Sequence, residues 1–289
     1  MTREIKLGNH KVGEGHPTYI VAEVGINHNG SVQSAKELIT AAAEAGVDAV
    51  KFQKRTVDVV YTAEELARPR ESPFGDTNGD LKRGLEFGQA QFAEIDRYCK
   101  DKNVMWYGSA WDEASVDFLE QFDPPCYKIA SASLTDDHLL RHHKQYGRPI
   151  VLSTGMSTIE EIDHAVEVLG TDNLILLHCT STYPSSVEEL NLAGIWTLKE
   201  RYQVPIGYSG HEVGLATSVA AATMGAVMIE RHITLDRAMW GSDQAASVEP
   251  QGFARLIKDI RAIERAMGDG VKRVYDSEVP IKKKLRRVG

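Results

Sequence analysis

The sequence predicts an α/β protein, a (β/α)8 TIM barrel with a short N-terminal β-hairpin, on three observations. Eight short apolar runs are spread along the chain, and each closes on residues able to do chemistry. Helical periodicity follows each run, the pattern of parallel βα units. The length, 289 residues, suits one barrel domain, which typically needs about 250. In such a barrel all C-terminal strand ends meet at one mouth, where the active site lies.

The elements follow in order. Residues 4–18 alternate in polarity and contain Gly8, Gly13 and Gly15, which predicts a hairpin plugging the barrel bottom. The expected division is a hairpin cap over 1–18, the barrel over 19–270 and a polar tail over 271–289. The first strand, about 19–24, carries YIVAE and ends at Glu23. Ser31 caps the first helix, with an apolar stripe of Ala35, Leu38, Ile39 and Ala42. The second strand, 49–53, ends at Lys51 and Gln53. Residues 56–88 break the rhythm. Their RPRESPFGDTNGD is rich in Pro, Gly and charge, which predicts a long loop at the mouth, able to fold over a substrate.

Alternation resumes with a helix near 89–101 and a third strand at 104–109, closing on Ser109 and Asp112. CYKIAS closes the fourth strand at Lys128 and Ser131, and PIVLST the fifth at Ser153 and Thr154. Ser157 with Glu160 predicts a capping box for the next helix. LILLHCTSTY closes on Thr180, Ser181 and Tyr183, VPIGYSGH on Ser209 and His211, and VMIERHITLD on Glu230, His232 and Asp236. The last helix carries Phe253, Leu256, Ile257, Ile260, Ile263 and Met267 as its stripe. The basic KKKLRR beyond it reads as a solvated tail.

Composition narrows the function classes. A formal net charge of −8 argues against a nucleic-acid partner. No apolar run approaches the ~20 residues of a membrane span, and the opening MTREIKLGNHKVGEG lacks the apolar core of a signal peptide. Cys99, Cys126 and Cys179 lack CxxC spacing and read as free thiols of a reducing cytoplasm.

His211 and His232 close adjacent strands, and imidazole suits a borderline divalent ion such as Mn2+ or Zn2+. Two protein ligands leave positions for water and a substrate carbonyl. The plainer reading is a pair of hydrogen-bonded rim residues. Lys51 and Lys128 point into the barrel, where an unpaired charge is costly. Their partner is either a structural carboxylate, Glu23 or Glu230, or a phosphate or carboxylate ligand. Hydroxyls at Ser131, Ser153, Thr154, Thr180, Ser181 and Ser209 favour an anionic ligand. Lys128 also has the placement of a Schiff-base nucleophile. Glu23 suits a general acid or base, or a partner for Lys51. Tyr183, Asn27, Gln53 and Asp243 offer polar contacts suited to a sugar.

Together, AEVGINHNG (22–30), VKFQ (50–53), YKIAS (127–131), LSTGMST (152–158), LLHCTSTYP (176–184), GYSGHEVG (207–214), IERHITLD (229–236) and GSDQAASVEP (241–250) resemble the sialic acid (N-acetylneuraminate) synthase family, with its legionaminic and pseudaminic acid synthases. The motifs run in order over nearly the whole chain. The resemblance implies a transferase that condenses phosphoenolpyruvate with the open-chain aldehyde of N-acetylmannosamine or a related hexose. Phosphate leaves by C–O cleavage and a nine-carbon 2-keto acid remains. It implies a divalent metal, Mn2+ first and Mg2+ or Co2+ as alternatives, held by His211 and His232. It assigns the phosphoenolpyruvate phosphate and carboxylate to Lys51, Ser109, Lys128, Ser131, Ser153, Thr154 and Ser209. Glu23 guides a water or proton, and Asn27, Gln53, Tyr183 and Asp243 meet the sugar. A homo-oligomer joined through barrel faces is expected, and a cytoplasmic location, where phosphoenolpyruvate is found.

Three departures stand out. Full-length members carry a C-terminal antifreeze-like domain that presents an arginine to the sugar's N-acetyl group across a dimer. This sequence ends at Gly289, so a non-acetylated sugar or a separate antifreeze-like protein is expected to stand in. Ser109-Ala110-Trp111-Asp112 replaces the usual Thr-Pro-Phe, and Trp111 is expected to reshape the pocket. Gln244 stands where many members have His, which predicts an altered sugar contact. The alternatives are a synthase of another 3-deoxy-2-keto sugar acid, a Schiff-base aldolase using Lys128, and an inactive sugar-binding barrel.

Overall fold

The computed structural model describes residues 4–288; residues 1–3 and 289, at the outer ends of the expected hairpin segment and tail, lie outside the described residues. An antiparallel hairpin of β1 (Ile5–Leu7) and β2 (His10–Val12) opens the chain. β3 (Tyr19–Gly25), α1 (Val32–Ala45) and β4 (Ala49–Lys54) follow. Next come α2 (Val57–Val60), α3 (Ala63–Ala67), the hairpin β5 (Pro69–Ser72)–β6 (Gly75–Thr77) and α4 (Asn78–Leu85). The βα rhythm returns with α5 (Gln89–Asp101), β7 (Met105–Ala110), α6 (Glu113–Glu120), β8 (Tyr127–Ile129) and α7 (Asp137–Lys144). It continues through β9 (Ile150–Ser153), α8 (Ile159–Leu169), β10 (Leu174–Cys179), α9 (Gly194–Tyr202), β11 (Ile206–Gly210), α10 (Ala216–Thr223) and β12 (Met228–His232). α11 (Pro250–Met267) and a short exposed α12 (Val279–Leu285) close the chain.

Eight parallel strands form the closed barrel β3-β4-β7-β8-β9-β10-β11-β12, with β12 returning to β3 so that His232 pairs with Glu23. β3 is buried at every position, as a strand covered on both faces must be. Alternation sorts its side chains. Ile20, Ala22 and Val24 pack outward against the helices, while Tyr19 and Val21 pack into the barrel. The lower interior is apolar, from Val21, Ala49, Tyr107, Cys126, Val151, Ile175, Leu177 and Met228. Ile5, Leu7 and Val12 of the hairpin seal it from below. Side chains on one strand face recur every second residue, so the next inward layer is polar: Glu23, Lys51, Ser109, Lys128, Ser153, Cys179, Ser209 and Glu230. An apolar plug thus carries a polar floor.

Two expectations need correction. Residues 56–88 are not a structureless loop; they hold three short helices and a hairpin. Capping boxes at Thr62/Glu65 and Thr77/Asp80 start two of those helices, a local signal that the Pro, Gly and charge content masked. The α8 cap is Thr158, whose hydroxyl accepts from Glu161 N, not Ser157 with Glu160. Ser157 instead donates to Gly155 O. No helix among the described residues is long and apolar enough to cross a membrane.

Candidate active site

The polar floor opens into a cavity of about 240 Å³ at the barrel mouth. Glu23, Lys51, Gln53, Ser109, Lys128, Ser131, Ser153, Tyr183, Ser209, His211 and His232 all line it. A larger open cleft of about 700 Å³ lies at the other end of the barrel, beside Gly8, Asp48 and Met105, and holds none of the predicted site residues.

The two lysines differ. Lys51 Nζ sits between two carboxylates, 2.7 Å from Glu23 Oε2 and 2.8 Å from Glu230 Oε2. Burial draws its ammonium down to about 7, against the upward pull of Glu230. Burial works against ionisation of Glu230 too, but the charges of Lys51 and Lys128 hold it below the usual carboxylate range. Carboxylates on both sides of Lys51 at hydrogen-bond distance oppose its loss of charge. Ser209 donates to Glu230 Oε1 at 3.0 Å. Lys128 Nζ instead donates to Ser153 Oγ at 2.7 Å and to Ile129 O at 3.0 Å, with no ion pair among the described residues. Ser109 Oγ is buried and has no hydrogen-bond partner. Ser131 Oγ accepts from Gly155 N at 3.0 Å. A Cβ on Gly155 would stand 2.9 Å from that Oγ, so only glycine lets the turn after β9 come this close.

The histidines cross the rim, their ring centres 5.5 Å apart. His211 Nδ1 lies 2.8 Å from Thr180 O. A carbonyl can only accept, so Nδ1 carries the proton and Nε2 keeps its lone pair. Burial holds the His232 imidazole neutral, its pKa down to about 3. Its Nδ1 is buried without a hydrogen-bond partner, 3.8 Å from Asp243 Oδ2. Tyr183 lays its ring against His211 at 4.0 Å. Among the described residues no group of three or more His, Cys, Asp or Glu is placed to hold an ion. The two imidazoles, with unspent nitrogens, nevertheless fit a divalent cation that completes its coordination with water and ligand oxygens.

Other predicted residues lie apart from the cavity. Asn27 is corrected: its amide donates to Ile233 O and Ser247 Oγ, both at 2.8 Å, which pins the turn after β3. Thr154 is corrected too. One residue past Ser153, it faces away from the cavity and donates to Leu177 O at 3.0 Å. Asp243 stands behind His232 and outside the cavity lining. Gln244 is buried against Thr234 and Asn27 O, so it presents no altered sugar contact. Lys54 and Arg55 both reach Glu86, at 3.5 and 2.7 Å.

The sequence reading missed Cys179, Met156 and the full part of Glu230 in the lining. Cys179 stands two residues above Leu177, so strand alternation alone would have found it. Burial would raise its thiol pKa, but the hydrogen bond and charge of His211, with Lys128, bring it below the usual thiol value. Trp111 lines the cavity with its ring under the Arg55 guanidinium, 5.6 Å away. All three cysteines are buried free thiols.

Known proteins resemble this chain over most of its length. The family model described as the NeuB family matches residues 38–272. The human N-acetylneuraminate-9-phosphate synthase is 38% identical, over 95% of this chain and 78% of its own. The N,N'-diacetyllegionaminic acid synthase of Legionella pneumophila is 35% identical, over 95% of this chain and 80% of its own. A crystal structure of N-acetylneuraminic acid (sialic acid) synthetase from Leptospira borgpetersenii, in complex with citrate, superposes with a TM-score of 0.87 at 32% identity, covering 100% of this chain and 99% of that one.

Proposed function

This chain belongs to the NeuB family, and from that premise we propose that it is a phosphoenolpyruvate-dependent sugar acid synthase. Phosphoenolpyruvate condenses with the open-chain aldehyde of N-acetylmannosamine or a related hexose, giving a nonulosonic acid and phosphate. The observation that carries the reading is the split between the lysines: Lys51 is neutralised by two carboxylates, while Lys128 faces the cavity with only hydroxyl and carbonyl partners.

Lys128, Ser131, Ser153 and the unpartnered Ser109 receive the phosphate and carboxylate, since charge-assisted bonds to an ammonium are the strong ones. Lys51 keeps one N–H for the same ligand and holds Glu23 in place. C3 of phosphoenolpyruvate forms the new bond to the aldehyde carbon, and the aldehyde oxygen takes up a proton. Water adds at C2, and the C2–O bond to phosphate breaks to leave the ketone; of the two protons the water gives up, one ends on the former aldehyde oxygen and the other on the departing phosphate. Glu23, ion-paired and 3.5 Å from Gln53, is placed to accept and return those protons. His211 and His232 would hold a divalent cation, Mn2+ first and Mg2+ or Co2+ as alternatives, which when bound supplies Lewis-acid polarisation of a carbonyl. Tyr183 and Gln53 meet the sugar, with Asp243 behind His232. Lys54 and Arg55 are engaged by Glu86, which supports an acceptor without a phosphate. The reading places the reaction in the cytoplasm, where phosphoenolpyruvate is made, in a homo-oligomer that light scattering would detect.

The test is phosphate release from phosphoenolpyruvate, with Mn2+ and then with chelator. The acceptors are mannose, N-acetylmannosamine, its 6-phosphate, a di-N-acetylated bacillosamine-derived hexose and arabinose 5-phosphate. Metal-dependent release with an unphosphorylated hexose is expected. Release only with a sugar phosphate would overturn the acceptor assignment. A borohydride-trapped adduct on Lys128 would favour the aldolase instead.

A further inference from the structure

The hydrogen-bonded ladder between β11 and β12 stops one residue short of the histidines. Its register pairs Tyr208 with Ile229, Ser209 with Glu230 and Gly210 with Arg231. His211 and His232 would be the next pair, so the ladder does not tie their backbones together. The residues beside them do so with side chains. From the strand that carries His232, Arg231 Nη1 donates to Glu212 Oε1 at 3.0 Å, to Gly214 O at 2.9 Å and to Ser218 Oγ at 2.8 Å. Nη2 donates to the main-chain carbonyl of Glu212. One guanidinium therefore grips the main chain immediately after His211.

Glu212 is fastened in turn. Its carboxylate accepts from the hydroxyls of Thr217 at 2.6 Å, Ser218 at 3.1 Å and Tyr208 at 2.9 Å. The side chains of Arg231 and Glu212 are 1% and 0% exposed. Gly210 makes room for them, because a Cβ there would come within 2.6 Å of Glu212 Oε2 and 3.1 Å of Arg231 Cδ. A buried ion pair is weak evidence for stability, since well-packed apolar side chains often do as well. What a rigid guanidinium fork adds is direction.

We infer that the Glu212–Arg231 pair is a positioning device that sets the separation of His211 and His232, and with it the affinity of the histidines for a divalent cation. This rests on the reading that those histidines hold the ion. Neither residue touches the ion or a substrate; each acts through its neighbouring histidine, as outer residues around metal ligands do.

The test is Mn2+ binding to the metal-free protein, followed by the electron paramagnetic resonance signal of free Mn2+, beside thermal unfolding of the same samples. The variants are Arg231→Lys, Glu212→Gln and Tyr208→Phe, with His232→Ala as control. Arg231→Lys and Glu212→Gln are expected to bind Mn2+ about 10- to 100-fold more weakly, with phosphoenolpyruvate binding without metal unchanged. Tyr208→Phe, which removes one bond to the carboxylate, is expected to weaken Mn2+ binding less. Unchanged Mn2+ affinity in folded Arg231→Lys, with only a lower melting temperature, would overturn the proposal. If neither charged-pair variant folds, Tyr208→Phe decides in the same way. Wild-type protein that binds no Mn2+, or His232→Ala that binds it as tightly, would defeat the metal reading itself.

Discussion

Lys128 meets Ser153 across β8 and β9 at 2.7 Å, ammonium to hydroxyl. A hydroxyl and a carbonyl supply no opposite charge, so Lys128 is left without an ion-pair partner at hydrogen-bond distance among the described residues. Lys51, in the same layer but on β4, is paired with Glu23 and Glu230.

Lys128→Ala is therefore expected to act mainly on phosphoenolpyruvate binding. Losing a hydrogen bond to a charged group costs about 1.5–3 kcal/mol, roughly a 10- to 150-fold rise in KM for phosphoenolpyruvate. Steady-state kinetics read it, and an unchanged KM would make the lysine structural.

Lys51→Met is expected to act on stability first. It leaves two buried carboxylates without their shared cation, and breaking a buried pair in this way costs about 3–5 kcal/mol. Urea unfolding with and without the substitution measures it. A variant as stable as the parent would show that Glu23 and Glu230 have other partners.

His211→Ala and His232→Ala are each expected to abolish metal-dependent phosphate release while the far-ultraviolet circular dichroism stays unchanged. Chelator should reproduce the loss in the parent protein, and Mn2+ should restore it. Full activity in either variant would remove the metal assignment.

Acid should destabilise the fold through His143 of α7, which burial against Tyr127 keeps neutral, its pKa down to about 4. The unfolded chain binds a proton here near pH 6.5 and the folded chain does not, so stability is full above about 6.5 and falls as pH drops toward 4. About 2 kcal/mol should be gone by pH 5. His143→Phe, in a site that already packs on Tyr127, should flatten that dependence. Equal pH slopes for both proteins in urea titrations would refute it.

Phe92→Ala is expected to cost about 3–5 kcal/mol. Phe92 is fully buried and touches the rings of Phe52, Phe87, Trp106, Phe118 and Phe122, joining α5 to the barrel wall. Denaturant unfolding at neutral pH is the check.

Much of the site was legible because strand alternation is local. Glu23, Lys51, Ser109, Lys128, Ser153 and Ser209 all stand at C-terminal strand ends and all line the cavity. The same rule read one residue too far at Thr154, which belongs to the opposite face. Asn27 misled because a polar residue in a turn looks alike whether it faces a ligand or ties the backbone, and here it ties the backbone. The segment 56–88 looked structureless because its helices are too short to show a periodicity, though their caps were readable.

By itself the sequence determined the eight-strand order, the apolar plug and the set of polar groups crowning it, since each depends on spacing within one strand or helix. Only the tertiary structure decided which charge faces which. Closing β12 onto β3 brings Glu23 and Glu230 to either side of Lys51 and leaves Lys128 to Ser153. It also lets Arg231 reach past His211 to Glu212 and Gly214. Those pairings depend on the register between strands far apart in the chain, and register is set by the packing of the whole barrel rather than by any local stretch.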